Sequence, residues 1–252
     1  MQRYFIELAY KGTCFCGWQL QPNGNTVQGE LERVMTLLLR EPVRLTGAGR
    51  TDSGVHASFF AAHFDASNEE LHKDVAFLYK LNQLIHKEIA VFRIYPVDAA
   101  AHARFDAVSR TYQYLIARAK NPFTVDLAYH LYRPLDVEAM NAAAQILPEY
   151  TDFTSFSKLH GNAVTNLCKV TEAYWDENEA SGELTFTITA NRFLRNMVRA
   201  VVGTMLEIGL GKRAPEDIRQ VIEAKERNAA GTSAPPQGLC LTDIVYPWKT
   251  RP

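Results

Sequence analysis

Cysteine is scarce in this chain, with four among 252 residues at positions 14, 16, 168 and 240. None of them forms a C-x-x-C pair, which excludes a disulfide-dense scaffold and the paired thiols of a structural zinc site and leaves reduced, structural thiols as the expectation. Long apolar runs are missing as well. Nothing approaches the length of a membrane span, and Met1-Gln2-Arg3-Tyr4 passes straight into an alternating pattern without the apolar core of a signal peptide, so a cytoplasmic protein that does not meet a membrane is expected. Neither charge sign dominates. Lys and Arg number 27 against 28 Asp and Glu, a net charge of −1, which excludes a uniformly basic nucleic-acid binder but not a locally basic one. Gly47-Ala48-Gly49 opens like a nucleotide-binding fingerprint, but Arg50-Thr51-Asp52 cannot supply the remaining glycines, and no Walker loop or G-x-S-x-G elbow occurs. His56 and His63 match no metal-ligand spacing, and no Cys or carboxylate pattern completes a site; no metal is expected.

What is present is ordinary globular material, 47% hydrophobic and 22% charged, enough for a sizeable core in one large domain or two modest ones. Tyr4 to Tyr10 alternates as a strand with Tyr4, Ile6, Leu8 and Tyr10 on one face. Thr26 is a suitable N-cap for a helix whose Val27, Leu31, Val34 and Leu38 recur at helical spacing. Val43-Arg44-Leu45 reads as a short strand, and Val55 to Phe64 as the next. Ser67 with Glu70 has capping-box spacing ahead of a helix with Leu71, Val75, Leu78 and Leu81 buried, and Ile89 to Val97 returns to a strand pattern. Strand, helix, strand, strand, helix, strand is the order of a split β-α-β unit of the ferredoxin-like, or RRM-like, kind.

The second half approximately repeats that order: strand Arg110 to Ala117, helix Asp136 to Leu147, strand Lys169 to Trp175, a turn at Gly182, strand Leu184 to Ala190, and a helix from Phe193 to Ile208. A further helix follows Pro215, and Leu241 to Tyr246 can close the sheet. The expected class is therefore α+β. Two ferredoxin-like halves, residues 1–106 and 107–252, would associate through mostly antiparallel sheets with helices on one face and an active-site cleft between them.

Chemistry concentrates in Gly47-Ala48-Gly49-Arg50-Thr51-Asp52-Ser53-Gly54-Val55-His56-Ala57, where glycines permit positive φ and a close approach by a flat ligand. Asp52 is the candidate reactive carboxylate, with the fixed charge of Arg50 two residues away. The ordinary alternative for an Asp in such a loop is a turn former or a cap. Arg110-Thr111-Tyr112-Gln113-Tyr114 puts both tyrosines and Arg110 on one face, either a base-stacking platform or sheet aromatics. Arg104, Arg110, Arg118 and Lys120 have only Asp106 as a nearby acid. On a helix from Arg192 to Ile208, Arg192, Arg195 and Arg199 fall within about 60° of one another, opposite the apolar stripe, with no acid before Glu207.

With these motifs in hand, the sequence resembles the TruA family of tRNA pseudouridine synthases along nearly its whole length. The match runs through Tyr10-Lys11-Gly12-Thr13-Cys14-Phe15-Cys16-Gly17-Trp18-Gln19, the GAGRTDSGVHA loop, Ala103-Arg104-Phe105, the Tyr112 strand, Phe193-Leu194-Arg195-Asn196-Met197-Val198-Arg199 and Gly238-Leu239-Cys240-Leu241. The resemblance implies isomerisation of uridine to pseudouridine at positions 38, 39 and 40 of the tRNA anticodon stem and loop by a homodimer that needs no cofactor. By position it makes Asp52 the nucleophile, Arg50 the residue of base extrusion, Tyr112 an active-site tyrosine, Arg199 the arginine facing the aspartate and Leu239 a pocket leucine. Arg110, Arg192 and Arg195 remain candidates for substrate binding. Lys11 stands where an acid is usual, and His86 where proline is common, departures confined to loops. Other readings are a synthase of the same family acting on other uridines, a non-catalytic RNA-binding module, and a hydrolase, which normally needs a second carboxylate that is not seen near Asp52.

Overall fold

The computed structural model describes residues 1–158 and 165–248. In chain order its elements are β1 (Gln2–Tyr10), α1 (Val27–Leu39), β2 (Thr46–Gly47), β3 (His56–Ala66), α2 (Val75–Leu84), β4 (Ile89–Pro96), β5 (Ser109–Ala117), β6 (Tyr129–His130), α3 (Val137–Ile146), β7 (Val170–Glu177), β8 (Leu184–Ala190), α4 (Met197–Gly209), α5 (Asp217–Ala224) and β9 (Leu239–Val245), with short 3-10 turns between them. The class is α+β with mostly antiparallel pairing. The chain forms two compact units, Met1–Val108 together with the chain from Leu241 onward, and Ser109–Cys240. Leu239 and Cys240 of β9 belong to the second unit and the rest of that strand to the first.

In the first unit β1 lies between β3 and β4, antiparallel to both, and β2 pairs with β3. The alternation of β1 sends Tyr4, Ile6 and Leu8 to one side, opposite Phe64 and Phe60 across the ladder, and all five are fully buried or nearly so. Helix α1 joins this side at its start. The Gln28 N–H donates to the carbonyl of Trp18, whose ring stacks on Phe60 at 4.1 Å. The other face of β1 is also covered, by Tyr246 and Trp248 against Phe5 and by Arg93 and the Tyr95 hydroxyl on the carboxylate of Glu7. A buried Glu7 is tolerable because a bidentate arginine and a hydroxyl saturate it.

Thr26 caps α1 as its spacing indicates, its hydroxyl accepting the Gly29 N–H at 3.2 Å. Two expectations for this unit fail. Residues 43–45 are irregular and the strand is Thr46–Gly47, because the ladder to β3 forms only from Thr46 opposite His63. Ser67 does not cap a helix: Asp74 caps α2 through the Phe77 N–H, and the later start turns Val75 outward, 80% exposed, while Phe77 and Leu81 are buried.

In the second unit β8 lies between β5 and β7, antiparallel to both, and β6 adds a short parallel pairing to β5. Its core holds Tyr114, Ile116, Phe186 and Ile188 of the sheet with Met140 of α3 and Val201 and Met205 of α4. Asn141 clips α3 to β7 by accepting the Trp175 N–H at 2.8 Å and donating to the Trp175 carbonyl at 3.0 Å. Helix α4 begins at Met197, not at Phe193, because Asn196 sits in the left-handed region with φ 68° and breaks the helical path before it. Arg192 and Arg195 therefore lie ahead of the helix. The single basic stripe of three arginines expected from periodicity does not exist.

Candidate active site

The Asp52 loop hangs between β2 and β3 and is pinned along its length. The Tyr10 hydroxyl and the Thr51 hydroxyl lie 2.9 Å apart in a buried hydrogen bond, the Ser53 hydroxyl and the Gly54 N–H both donate to the Phe15 carbonyl, and the Val55 N–H closes a turn on the Asp52 carbonyl at 3.2 Å. The Gly12 N–H then donates to Nδ1 of His56 at 2.9 Å. Thr51 and Val55 are buried on either side of a half-exposed Asp52, while Arg50 is exposed. A carboxylate raised on a turn held at both shoulders can meet a ligand without costly rearrangement of the backbone beneath it.

The glycines of the loop, which permit positive φ and close approach, divide those roles. Only Gly54 takes positive φ, at 79°. Gly47 instead makes room for the Trp18 and Phe60 rings, which a Cβ there would strike. Both histidines that invited a metal reading act as acceptors for main-chain N–H groups. His56 takes that of Gly12, and Nδ1 of His63 takes that of Ala103 at 3.0 Å, with burial pushing the His63 pKa down to about 4 and the charges of His102 and Arg3 adding to that.

In the second unit, Tyr112 is half-exposed on β5 with its ring edge-on to Phe193 at 5.2 Å. Tyr114 shares its face but is fully buried, its hydroxyl donating to the Pro235 carbonyl at 2.8 Å. Of the pair, only Tyr112 is left open to a ligand. At the start of β5 an Arg110 Nη1 donates to the Asn191 carbonyl at 2.8 Å, and Leu239 is buried where β9 begins.

Arg199 occupies the first turn of α4, where its Nε donates to the Ala234 carbonyl at 2.7 Å. The strap around Ala234 is fastened to the helix by a clasp whose far half, Arg227, Gly231 and Ser233, belongs to no motif of the sequence. Asn196 Nδ2 and Arg227 Nη2 both donate to the Ser233 hydroxyl oxygen, at 2.7 and 2.8 Å, and the Gly231 N–H donates to the Thr204 hydroxyl at 2.9 Å. Gly203 brings strap and helix together, since a Cβ there would collide with the Thr232 carbonyl. The only sequence trace of the clasp is an Asn ahead of a helix. Arg195 is exposed, its carbonyl accepting the Lys158 N–H at 3.1 Å, while Arg192 is half-exposed close enough to the buried Cys168 thiol to oppose the upward push of burial on its pKa, to about 11.

A family model described as tRNA pseudouridine synthase matches residues 143–247. A protein of Parabacteroides distasonis named tRNA pseudouridine synthase A is 53% identical over 254 residues, covering 100% of this chain and 99% of that relative. Proteins of the same name from Bacteroides thetaiotaomicron and Porphyromonas gingivalis are 52% and 49% identical, each over 98% of this chain and over 91% and 98% of their own lengths.

Proposed function

The chain belongs to the TruA family of tRNA pseudouridine synthases, isomerases of uridine in tRNA, and from that premise we propose that it acts at positions 38, 39 and 40 of the anticodon arm with Asp52 as the nucleophile. The observation that carries this reading is the placement of Asp52, half-exposed on a turn whose two flanks are buried and hydrogen-bonded, in a chain that matches its relatives end to end.

A uridine stacked in a stem presents neither C1′ nor C6 to a side chain, so the nucleotide leaves the stack at a cost of a few kcal/mol. The exposed Arg50 is suited to fill the space it vacates. The Asp52 carboxylate then attacks C1′ or C6; the N1–C1′ bond breaks, the uracil turns, and a C5–C1′ bond forms as the carboxylate departs. C5 loses a proton and N1 gains one, so the product is an isomer and no electrons are exchanged with a partner molecule. The family resemblance gives Arg199 the role of counter-charge to the carboxylate, Leu239 that of a dry pocket wall, and Tyr112 a contact with the displaced base. Arg110, Arg192 and Arg195 are proposed to bind the phosphates of the arm. The pairing order β4-β1-β3-β2 supports a ferredoxin-like reading of the first unit, and β5-β8-β7 supports the same pattern in the second. A cytoplasmic homodimer completes the proposal.

The deciding experiment maps pseudouridine at every anticodon-arm position of an unmodified tRNA after incubation with wild-type protein and with Asp52→Asn. Conversion at positions 38 to 40 by wild type alone is expected. Conversion elsewhere points to other uridines, released uracil to a hydrolase, and tight binding without product to an RNA-binding module.

A further inference from the structure

Phe105 is 75% exposed, yet the turn that carries it is held by several hydrogen bonds. The Asp106 N–H donates to the His102 carbonyl, and the His102 N–H donates to the Asp106 carboxylate at 2.7 Å, closing the turn on itself. Nδ1 of His102 accepts the N–H groups of both Arg104 and Phe105. Between them Ala103 is fully buried, its N–H donated to His63 on β3 and its carbonyl accepting the Tyr246 hydroxyl at 2.6 Å. The ring of His102 abuts that of His63 at 4.7 Å, and the ring of Phe105 stacks on His102 at 4.2 Å and 30°.

The result is a chain of three rings, His63 edge-on to His102 at 64° and His102 stacked on Phe105, that ends in an exposed Phe105. The Arg104 guanidinium carbon lies 5.8 Å from the Phe105 ring centroid. Exposing a large apolar ring gains nothing for stability, and the fold spends at least five hydrogen bonds on holding this one in a fixed direction. An exposed aromatic ring that continues a stack, with an arginine over it at 5.8 Å, is what an unpaired nucleobase and its phosphate recognise. The surface immediately around the ring is charged, with Arg104 exposed and Asp106 half-exposed, which suits a polar ligand that stacks.

We propose that Phe105 and Arg104 form an RNA-stacking site remote from the reacting uridine, which holds an unpaired base of the bound tRNA. The site rests on the reading of this chain as a tRNA-modifying enzyme. Its distance follows from β3, which starts just beyond the Asp52 turn: His63 is seven residues along from His56, roughly 23 Å at the rise of a strand. The contact therefore does not fall on the base that reacts.

The test measures Kd for an unmodified tRNA transcript across a salt series, and single-turnover pseudouridine formation at saturating tRNA, for wild type, Phe105→Leu, Phe105→Trp and Arg104→Ala. Phe105→Leu is expected to weaken binding about tenfold with no change in salt slope or saturated rate, and Phe105→Trp to bind within about twofold of wild type. Arg104→Ala is expected to lower the salt slope by about one. If wild type converts uridine and Phe105→Leu binds as wild type does, the stacking site is overturned and the catalytic reading stands. If wild type makes no pseudouridine, that reading fails and the site falls with it. Val108, three residues on, is also exposed, so sedimentation is measured in parallel; a Phe105→Leu protein that loses self-association instead of RNA affinity makes this surface a contact between copies and overturns the proposal.

Discussion

Arg199 and Ala234 are joined twice: the Ala234 N–H donates to the Arg199 carbonyl at 2.9 Å, and Nε of Arg199 donates to the Ala234 carbonyl at 2.7 Å. The strap thereby fixes both the main chain and the guanidinium of one arginine, whereas Arg192 and Arg195 lie outside the helix without that restraint. Their substitutions are expected to fail differently. Arg199→Ala should lower the single-turnover rate at saturating tRNA, while Arg192→Ala and Arg195→Ala should weaken Kd and reduce the salt slope by about one per lost phosphate contact. A change in Kd and slope alone for Arg199→Ala would mean that it serves phosphate binding and not Asp52.

The same clasp predicts a structural lesion that reaches the chemistry. In Gly203→Ala the new methyl meets the Thr232 carbonyl, and neither helix nor strap can yield without breaking the Ser233 hydrogen bonds. A loss of about 1–3 kcal/mol in urea unfolding is expected from such overpacking, together with a lower rate at saturating tRNA. Unchanged stability would show that the strap does not bear on α4 as described.

For Asp52→Asn the expected outcome is loss of product by at least about 10³-fold with tRNA affinity nearly unchanged, because one carboxylate adds little to an interface dominated by phosphate contacts. Rates within about tenfold of wild type on the same transcript would remove Asp52 from the mechanism.

Strands β1, β3 and β8 were legible in the sequence because period-two alternation follows directly from the pleat, and Thr26 because a cap acts on its own next turn. Where the fold departs from these patterns the physical origin is one: a local pattern does not decide a tertiary contact. Ser67 and Glu70 have the spacing of a capping box, but the chain there makes a loop in which the Ser67 N–H donates to Glu41, and Asp74 takes the cap. The helical phase of Arg192, Arg195 and Arg199 is undone by one residue, Asn196, at positive φ. Of the candidate site, the Asp52 loop could be found from its residue types. The clasp could not, since Ser233 meets Asn196 across 37 positions and no local rule connects them.

Tyr112 separates stacking from hydroxyl chemistry. Its edge-on contact with Phe193 is one that Tyr112→Phe retains, so that variant is expected to keep most of the activity. Tyr112→Leu should lose about 5- to 150-fold in kcat/KM, the range of a base–aromatic contact of roughly 1–3 kcal/mol. Equal damage from both substitutions would assign the role to the hydroxyl.

Stability should fall in mildly acidic solution because of His63. Its pKa is about 4 in the folded chain against 6.5 for the free side chain, so between those values the unfolded chain binds more protons than the folded one. A depressed folded-state pKa means that the neutral ring is the one the fold accepts: its contribution is complete above pH 6.5 and disappears as the pH drops toward 4. The difference corresponds to about 3–4 kcal/mol at most, and screening and relaxation around the site reduce it. Asp65, held low by its hydrogen bonds from Arg3, loses stability in a lower window, so the two groups are separable. Urea unfolding of wild type and His63→Gln at intervals from pH 7.5 to 4 tests the assignment. The glutamine can still accept the Ala103 N–H and does not titrate, so the variant is expected to be somewhat less stable near neutrality but to show a flatter pH dependence between 6.5 and 4. Parallel curves for the two proteins would show that His63 is not the group whose protonation loosens the sheet beneath the rings that lead to Phe105.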